Sequence, residues 1–230
     1  MAKIAAVLSS SLAKKYTMAL SGLFLIVFLL EHLYTNLLLY AGDGGIKFNE
    51  ASHEMTSSLF IRIVEFVLFA ALILHVVQAT LLTQQNAKAR PIKYAVSAVN
   101  ETSNWFSRNM GLTGSLILFF IVVHLYNFFV PYRITGEVGD GQEYTLAQCV
   151  VAALRNEVYA GIYLVSVIFL GFHLNHGFQS AFQTLGFSNK TYAPLLKMAG
   201  TGLALIFTLG YGSFPILVYT GILGCDILPQ

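Results

Sequence analysis

Charged residues are scarce in this chain. Asp, Glu, Lys and Arg make up 10% of its 230 residues, whereas hydrophobic residues make up 56%. Water-soluble domains carry about 25% charged residues, so the composition argues against a soluble globular protein and favours a membrane protein. The formal net charge is only +2, and we expect no nucleic-acid partner.

Cysteine is also nearly absent. The chain has two, Cys149 and Cys225, and neither lies in a CxxC or CxxCH motif. This excludes covalent attachment of a c-type haem. A disulfide between the two cysteines and a pair of free thiols both remain open at this point.

Long polar stretches are missing as well. The longest connections between apolar segments have about 25 residues, which is fewer than a folded domain needs. We therefore expect residues 1–230 to form a single transmembrane domain, without an appended soluble catalytic domain.

Long apolar runs, in contrast, fill most of the chain. A membrane-spanning helix needs about 20 mostly apolar residues, and five segments meet this length. Because lipid offers the backbone no hydrogen bonds, each spanning segment must be an α-helix. The sequence predicts an all-α membrane protein with five transmembrane helices, at about 16–40, 61–82, 110–132, 158–182 and 198–223.

The basic residues predict the orientation of these helices. The N-terminus and the second and fourth connections hold nine of the thirteen Lys and Arg residues, and the opposite side holds the other four. Lys and Arg are enriched on the cytoplasmic side of membrane proteins. The N-terminus is therefore predicted to be cytoplasmic and the C-terminus to lie outside.

Four histidines lie just past the middle of four different apolar segments: His32, His75, His124 and His173. A histidine in a membrane helix is costly unless it has a partner, and it marks a functional site. Two facing imidazoles can hold a b-type haem. Since alternate helices run in opposite directions, the topology predicts two stacked haems, an outer one on His32 and His124 and an inner one on His75 and His173.

An internal repeat supports this interpretation. A shift of 92 positions aligns residues 18–34 with residues 110–126, with seven identities in seventeen positions. The identities include Gly22 with Gly114 and His32 with His124. The two copies run in the same direction across the membrane, so the repeat is parallel.

Other interpretations of these residues stay open. A histidine in a membrane helix can instead form a hydrogen bond between helices, and glycines such as Gly22, Gly114 and Gly177 are common in helix contacts. His176 lies one turn after His173 on nearly the same helix face. We predict that His173 is the ligand because its depth matches that of His75, with His176 as the alternative.

Several segments together resemble the cytochrome b subunit of succinate dehydrogenase/fumarate reductase, in the form with one five-helix polypeptide and two haems b. The resemblance covers nearly the whole chain. It is carried by Ser21-Gly22 through His32-Leu33, by His75, by Gly114-Ser115 through His124-Leu125, and by Phe172-His173 through His176-Gly177 and Ser180 to Leu185-Gly186.

The resemblance implies a function in electron transfer. Such a chain anchors an iron–sulfur subunit and a flavoprotein subunit with covalent FAD to the bacterial cytoplasmic membrane, as a multi-pass protein surrounded by lipid. Electrons pass between succinate or fumarate, the clusters, the two haems and a membrane quinone, for which menaquinone is expected. The dicarboxylate chemistry then lies in a partner subunit.

The resemblance also implies further site residues. Trp105 and Arg108, with Ser21, are candidates to bind the inner-haem propionates, although Trp and Arg at a membrane surface often serve only as anchors. Glu50, His53 and Glu54 are candidates for the quinone site, although a solvated loop face explains the same residues and is the interpretation that we favour. Some two-haem relatives carry a glutamate two residues before the fourth-helix ligand, where this chain has Gly171.

Two other functions remain as alternatives. One is the b-type anchor of a different quinone-linked dehydrogenase or hydrogenase. The other is a transporter that uses histidines to bind metal ions or protons. It explains poorly why the motif His-Leu-Tyr occurs both at residues 32–34 and at residues 124–126.

Overall fold

The computed structural model describes residues 10–88, 109–139, 141–187 and 189–228. Over these ranges the chain is helical, with five long α-helices and two short ones. In chain order they are α1 Ser11–Leu37, α2 Ile46–Ser57, α3 Leu59–Lys88, α4 Met110–His124, α5 Leu146–Arg155, α6 Glu157–Thr184 and α7 Ala193–Tyr219.

The five predicted spanning segments are confirmed as long helices. Each is long and apolar enough to cross a membrane, α4 together with the helical residues up to Ile134 that follow it. The bounds of α7 differ from the prediction, because this helix begins at Ala193 rather than at residue 198 and ends at Tyr219 rather than at residue 223. The membrane orientation predicted from the basic residues stays a prediction.

Local signals explain where α7 begins and ends. The Asn189 side chain accepts hydrogen bonds from the backbone N–H groups of Thr191 and Tyr192 at 3.1 and 2.8 Å. Pro194 lies in the first turn, where its missing N–H costs nothing. At the other end Gly221 adopts a left-handed conformation with φ of 75°, which terminates the helix.

The α4 helix changes type immediately after His124. Residues Leu125–Ile134 form a π-helix that contains Pro131. The N–H of Thr135 bonds to the carbonyl of Val130, five residues back, at 3.0 Å. The sequence predicted an uninterrupted α-helix here. Proline cannot donate the backbone hydrogen bond of a regular helix, and π-helical turns are frequent at functional sites.

The two short helices lie where the sequence predicted only loops. At the start of α5, Thr145 and Gln148 form reciprocal side-chain to backbone hydrogen bonds, an arrangement that stabilises helix N-termini. The α5 helix contacts α2, because the Asn49 side chain accepts a hydrogen bond from the N–H of Ala147 at 3.0 Å. The buried residues of α5 are spaced as on one helix face: Ala147, Val150, Val151 and Leu154.

The chain divides into two compact units. The first unit comprises Met1–Phe28, Val64–Gly114 and Phe172–Ala204, and the second comprises Leu29–Ile63, Ser115–Gly171 and Leu205–Gln230. Each long helix contributes one segment to each unit. The first unit contains His75, His173 and His176, and the second contains His32, His53 and His124.

Candidate functional site

In the first unit, His75 on α3 and His173 on α6 face each other. Their ring centres lie 6.2 Å apart, with an angle of 65° between the ring planes. His176 lies one turn farther along α6 and is half-buried. Of the two histidines on this helix, His173 is therefore the one that stands opposite His75.

Two hydroxyl groups contact this pair from α1 and α4. The Ser21 hydroxyl lies 3.3 Å from Nδ1 of His75, and the Thr113 hydroxyl lies 3.5 Å from Nδ1 of His173. Each hydroxyl also donates a hydrogen bond to a backbone carbonyl three residues earlier, that of Met18 at 3.2 Å and that of Met110 at 3.1 Å. Both side chains are well shielded, with Ser21 8% exposed and Thr113 1% exposed.

These contacts fit one tautomer of each histidine. A hydroxyl has a single proton to donate. When that proton goes to the backbone carbonyl, the hydroxyl oxygen accepts from Nδ1–H of the imidazole. The other ring nitrogen, Nε2, then keeps the lone pair that can bind a metal ion.

Two glycines leave space for the imidazole rings. A Cβ atom on Gly22 would lie 3.2 Å from Cε1 of His75, which is tighter than an ordinary van der Waals contact. A Cβ atom on Gly114 would lie 3.6 Å from Cε1 of His173. The repeated glycines thus allow α1 and α4 to approach the histidines closely, whereas a Cβ atom on Gly177 would meet no atom within 4 Å.

In the second unit, His32 on α1 and His124 at the end of α4 form the other pair. Their ring centres lie 5.7 Å apart and the rings are nearly perpendicular, at 89°. Phe120, Phe128 and Tyr163 surround His124 with centre distances of 5.6, 5.4 and 6.0 Å. The Tyr163 hydroxyl lies 3.4 Å from Nδ1 of His124, so it can be the partner of that nitrogen.

The α7 helix, which has no histidine, supports this second pair. The Tyr211 ring lies 5.9 Å from the His32 ring, centre to centre, and its hydroxyl donates to the Leu29 carbonyl at 2.7 Å. A Cβ atom on Gly210 would lie 2.9 Å from a methyl group of Leu33. Gly210 therefore lets α7 approach α1 at the turn that carries His32.

The spacing within each pair fits two imidazoles bound to one metal ion. A coordinated imidazole nitrogen lies about 2.0–2.1 Å from the metal, so the centres of two rings on opposite sides of one ion are roughly 6 Å apart. The observed separations are 5.7 and 6.2 Å. Two axial histidines are all the protein ligands that a haem iron needs, because the macrocycle supplies the other four.

An unpaired polar atom lies close in sequence to the first pair. Among the residues that the structure describes, Gln78 Oε1 is a buried side-chain acceptor without a hydrogen-bond partner, and Gln78 follows His75 by three positions. A buried acceptor without a partner is costly, and a hydrogen-bond donor would satisfy it. Asn127, three positions after His124, interacts with the Tyr163 hydroxyl. Within the described ranges, no group of three or more His, Cys, Asp or Glu is arranged to bind a metal ion.

The quinone-site candidates lie on α2, in the second unit. Glu50, His53 and Glu54 line a cavity of about 590 Å³ together with Ile46 and Asn49. His53 also lines a second cavity of about 270 Å³, which is bordered by Tyr132, Arg133 and Gln142 among others. The structure thus places these three residues on one helix beside a cavity, rather than in an extended loop.

Both cysteines are free thiols in the structure. The thiol of Cys149 donates to the carbonyl of Asn127 at 3.7 Å, and that of Cys225 donates to the carbonyl of Gly221 at 2.7 Å. Burial raises the pKa of the Cys149 thiol above its usual range. Cys225, in contrast, is exposed.

Three side chains that contact the paired histidines, Thr113, Tyr163 and Tyr211, were not predicted from the sequence. Thr113 could have been predicted, since it is the repeat equivalent of Ser21. Nothing in the sequence distinguishes Tyr163 and Tyr211, because aromatic residues are common in apolar segments. Trp105 and Arg108 lie outside the described residues, so their proposed contacts to haem propionates stay a prediction.

Comparisons with protein-family models, with curated proteins and with solved structures find no match for this chain.

Proposed function

We propose that this chain is the membrane anchor and two-haem electron-transfer subunit of a succinate:quinone oxidoreductase. In this proposal His75 and His173 would hold one haem b, and His32 and His124 would hold the other. The bound haems would supply the one-electron chemistry that connects an iron–sulfur subunit with a membrane quinone.

The observation that supports the proposal best is that both predicted pairs form, with their rings at metal-bridging distance. Ring-centre separations of 6.2 and 5.7 Å fit two axial imidazoles on one iron. In the first pair, each Nδ1 atom lies beside a hydroxyl group, which leaves Nε2 as the ring nitrogen for a ligand in this proposal. Histidines that served only as hydrogen-bonding links between helices would not need to face one another.

The residues around each pair would bind, orient and insulate the macrocycle. When bound, a haem takes up and releases one electron at a time. The rings of Phe120, Phe128 and Tyr163 enclose His124 and keep water from it. These contacts are the means by which a protein sets haem potentials.

The α2 cavity is our candidate for the quinone site. Reduction of a quinone consumes protons, which requires an acid or base within hydrogen-bonding reach of the quinone oxygens. Glu50, His53 and Glu54 provide two carboxyl groups and an imidazole on the cavity wall. Menaquinone is the expected substrate, and this assignment rests on the sequence resemblance.

The partners follow from the same resemblance. An iron–sulfur subunit and a flavoprotein with covalent FAD would dock on the cytoplasmic side of the bacterial membrane. The succinate or fumarate chemistry belongs to the flavoprotein, so this chain takes part in catalysis only as a subunit of the complex.

The first test is the haem content of the purified membrane complex. We expect a dithionite-reduced minus oxidised spectrum of b-type haem and, by pyridine haemochrome quantitation, two haems per chain. His75→Ala and His173→Ala should each lose one haem, and His32→Ala and His124→Ala should each lose the other, because each substitution removes one of the two protein ligands that hold that haem in this proposal.

His176→Ala is the matched control, since it removes an imidazole one turn from His173 on the same helix. It should keep both haems. If His176→Ala loses a haem while His173→Ala keeps two, the ligand assignment on α6 is wrong. A folded wild-type complex without haem would overturn the proposal and favour a metal or proton transporter.

A further inference from the structure

We infer that Ser21 and Thr113 are positioning residues for the two histidines of the first unit, acting as matched acceptors of their Nδ1–H protons. This inference rests on the proposed function, because it assigns these hydroxyls a role in controlling a haem bound between His75 and His173. It differs from the propionate role that the sequence resemblance implies for Ser21.

The internal repeat makes the two hydroxyls equivalent. Thr113 follows Ser21 by 92 positions, the same interval that relates Gly22 to Gly114 and His32 to His124. Both hydroxyls donate to the carbonyl of a methionine three residues earlier, and these methionines, Met18 and Met110, are also repeat equivalents. The same local geometry has thus been formed twice, on two different helices.

Each hydroxyl contacts a different histidine of one pair. Ser21 on α1 lies 3.3 Å from Nδ1 of His75 on α3, and Thr113 on α4 lies 3.5 Å from Nδ1 of His173 on α6. The two repeat copies therefore supply ligand histidines to the second unit and hydroxyl partners to the first. With the hydroxyl proton on the backbone carbonyl, each imidazole donates to the hydroxyl from Nδ1–H. The backbone of Met18 is a further hydrogen-bond partner of His75.

Hydroxyls elsewhere in the spanning helices show that this geometry is specific. Thr17 on α1 and Thr80 on α3 each donate to the carbonyl four residues earlier, at 3.0 and 2.9 Å. That back-bonding is the ordinary behaviour of Ser and Thr in helices. Ser21 and Thr113 add to it a contact with an imidazole on another helix, beside a glycine that allows the close approach.

The expected consequence is a lowered reduction potential of the haem at His75 and His173. An acceptor on Nδ1–H makes a coordinated imidazole a stronger electron donor, which stabilises the oxidised iron. Removing one neutral hydrogen bond should raise the reduction equilibrium constant by up to about tenfold, which is about 59 mV for a one-electron couple.

The experiment is a redox titration of both haems in the purified complex, with wild type, Ser21→Ala, Thr113→Ala and the double variant. We expect each single change to raise the potential of the haem at His75 and His173, and the double change to raise it by about the sum. The other haem should keep its potential. His75→Ala, which should retain only the second haem, identifies which spectral component belongs to which site.

Ser21→Thr and Thr113→Ser are the rescue variants, because each keeps the hydroxyl and should keep the wild-type potential. Thr17→Ala is the matched control on α1, since it removes a hydroxyl one turn away that makes only a backbone hydrogen bond. If Ser21→Ala loses a haem, the loss must be at His75 and His173 and must be reversed by Ser21→Thr.

The outcomes separate the two proposals. If the wild-type complex does not contain two haems, the proposed function is wrong, and no variant is needed to show it. Two haems with unchanged potentials in Ser21→Ala, Thr113→Ala and the double variant overturn this inference and leave the proposed function intact. A shift in Thr17→Ala as large as that in Ser21→Ala would also overturn it, because the effect would then not depend on the imidazole contact.

Discussion

The surroundings of His75 and His173 depend on small neighbours. Ser21 and Thr113 contact the Nδ1 atoms of this pair through hydroxyl groups, and a glycine follows each of them. A Cβ atom on Gly22 would crowd the His75 ring, whereas a Cβ atom on Gly114 would only reach van der Waals contact with His173. At this scale, the absence of a side chain matters as much as the presence of one.

The two cysteines should differ in reactivity. Cys149 is half-buried and its raised pKa leaves less thiolate at a given pH, and the thiolate is the reacting form. Cys225 is exposed. We expect iodoacetamide at pH 8 to alkylate Cys225 first, and the rate at Cys149 to keep rising as the pH is increased beyond about 8.5, the ordinary value for cysteine.

Mass spectrometry of peptides from timed samples measures both rates. A Cys225→Ser variant isolates the slow site, and a Cys149→Ser variant isolates the fast one. Equal rates for the two thiols at pH 8 in the folded protein would contradict the burial of Cys149.

At the scale of elements, α7 packs beside the pair of His32 and His124, although it contributes no histidine to that pair. Its Gly210 packs against Leu33, and its Tyr211 bonds to the Leu29 carbonyl, on either side of His32 in sequence. The Phe207 ring is stacked against Tyr211 with centres 6.0 Å apart, and it is fully buried. The helix thus holds the turn of α1 from which His32 projects.

Gly210→Val should therefore disturb the second pair. A Cβ atom at this position would lie 2.9 Å from Leu33, and such overpacking typically costs about 1–3 kcal/mol. We expect a lower content of the haem at His32 and His124 and a lower midpoint of thermal unfolding. Haem content and a melting curve on the same preparation measure the two effects.

Gly202→Val is the matched control on the same helix, since a Cβ atom on Gly202 would meet no atom within 4 Å. It should keep both haems and a melting curve close to that of wild type. Equal haem loss in the two variants would mean that the contact with Leu33 is not the cause.

At the scale of the whole molecule, the two units hold one histidine pair each. The two histidines of each pair lie within a single unit, and the α2 cavity lies in the same unit as His32 and His124.

Purification of the chain from its native membranes tests the proposed complex. We expect two further subunits to co-purify, one with covalent flavin and one with iron–sulfur clusters, together with succinate-dependent quinone reduction. Membranes from cells that lack this chain are the control and should show the soluble succinate-oxidising subunits detached. Co-purification of hydrogenase or formate dehydrogenase activity instead would assign the anchor to a different complex.

Hydropathy and residue spacing predicted the long helices, because both can be read from consecutive residues without knowledge of tertiary contacts. Five apolar segments of spanning length must be helices, and four histidines at matched positions indicate two pairs. The short α2 and α5 helices were missed, because their apolar faces are brief and depend on packing against each other through Asn49 and Ala147. The π-helix after His124 was also not evident from hydropathy.

The sequence by itself determined the membrane class, the five long helices and the histidines on which the proposed function rests. Only the tertiary structure decided that His173 rather than His176 stands opposite His75, and that Thr113, Tyr163 and Tyr211 contact the paired rings. The physical reason is that contacts between helices depend on how each helix is rotated about its own axis. Hydropathy specifies that a helix lies in the membrane, but the side chains that meet across helices depend on the rotation and depth of each helix, which close packing alone sets.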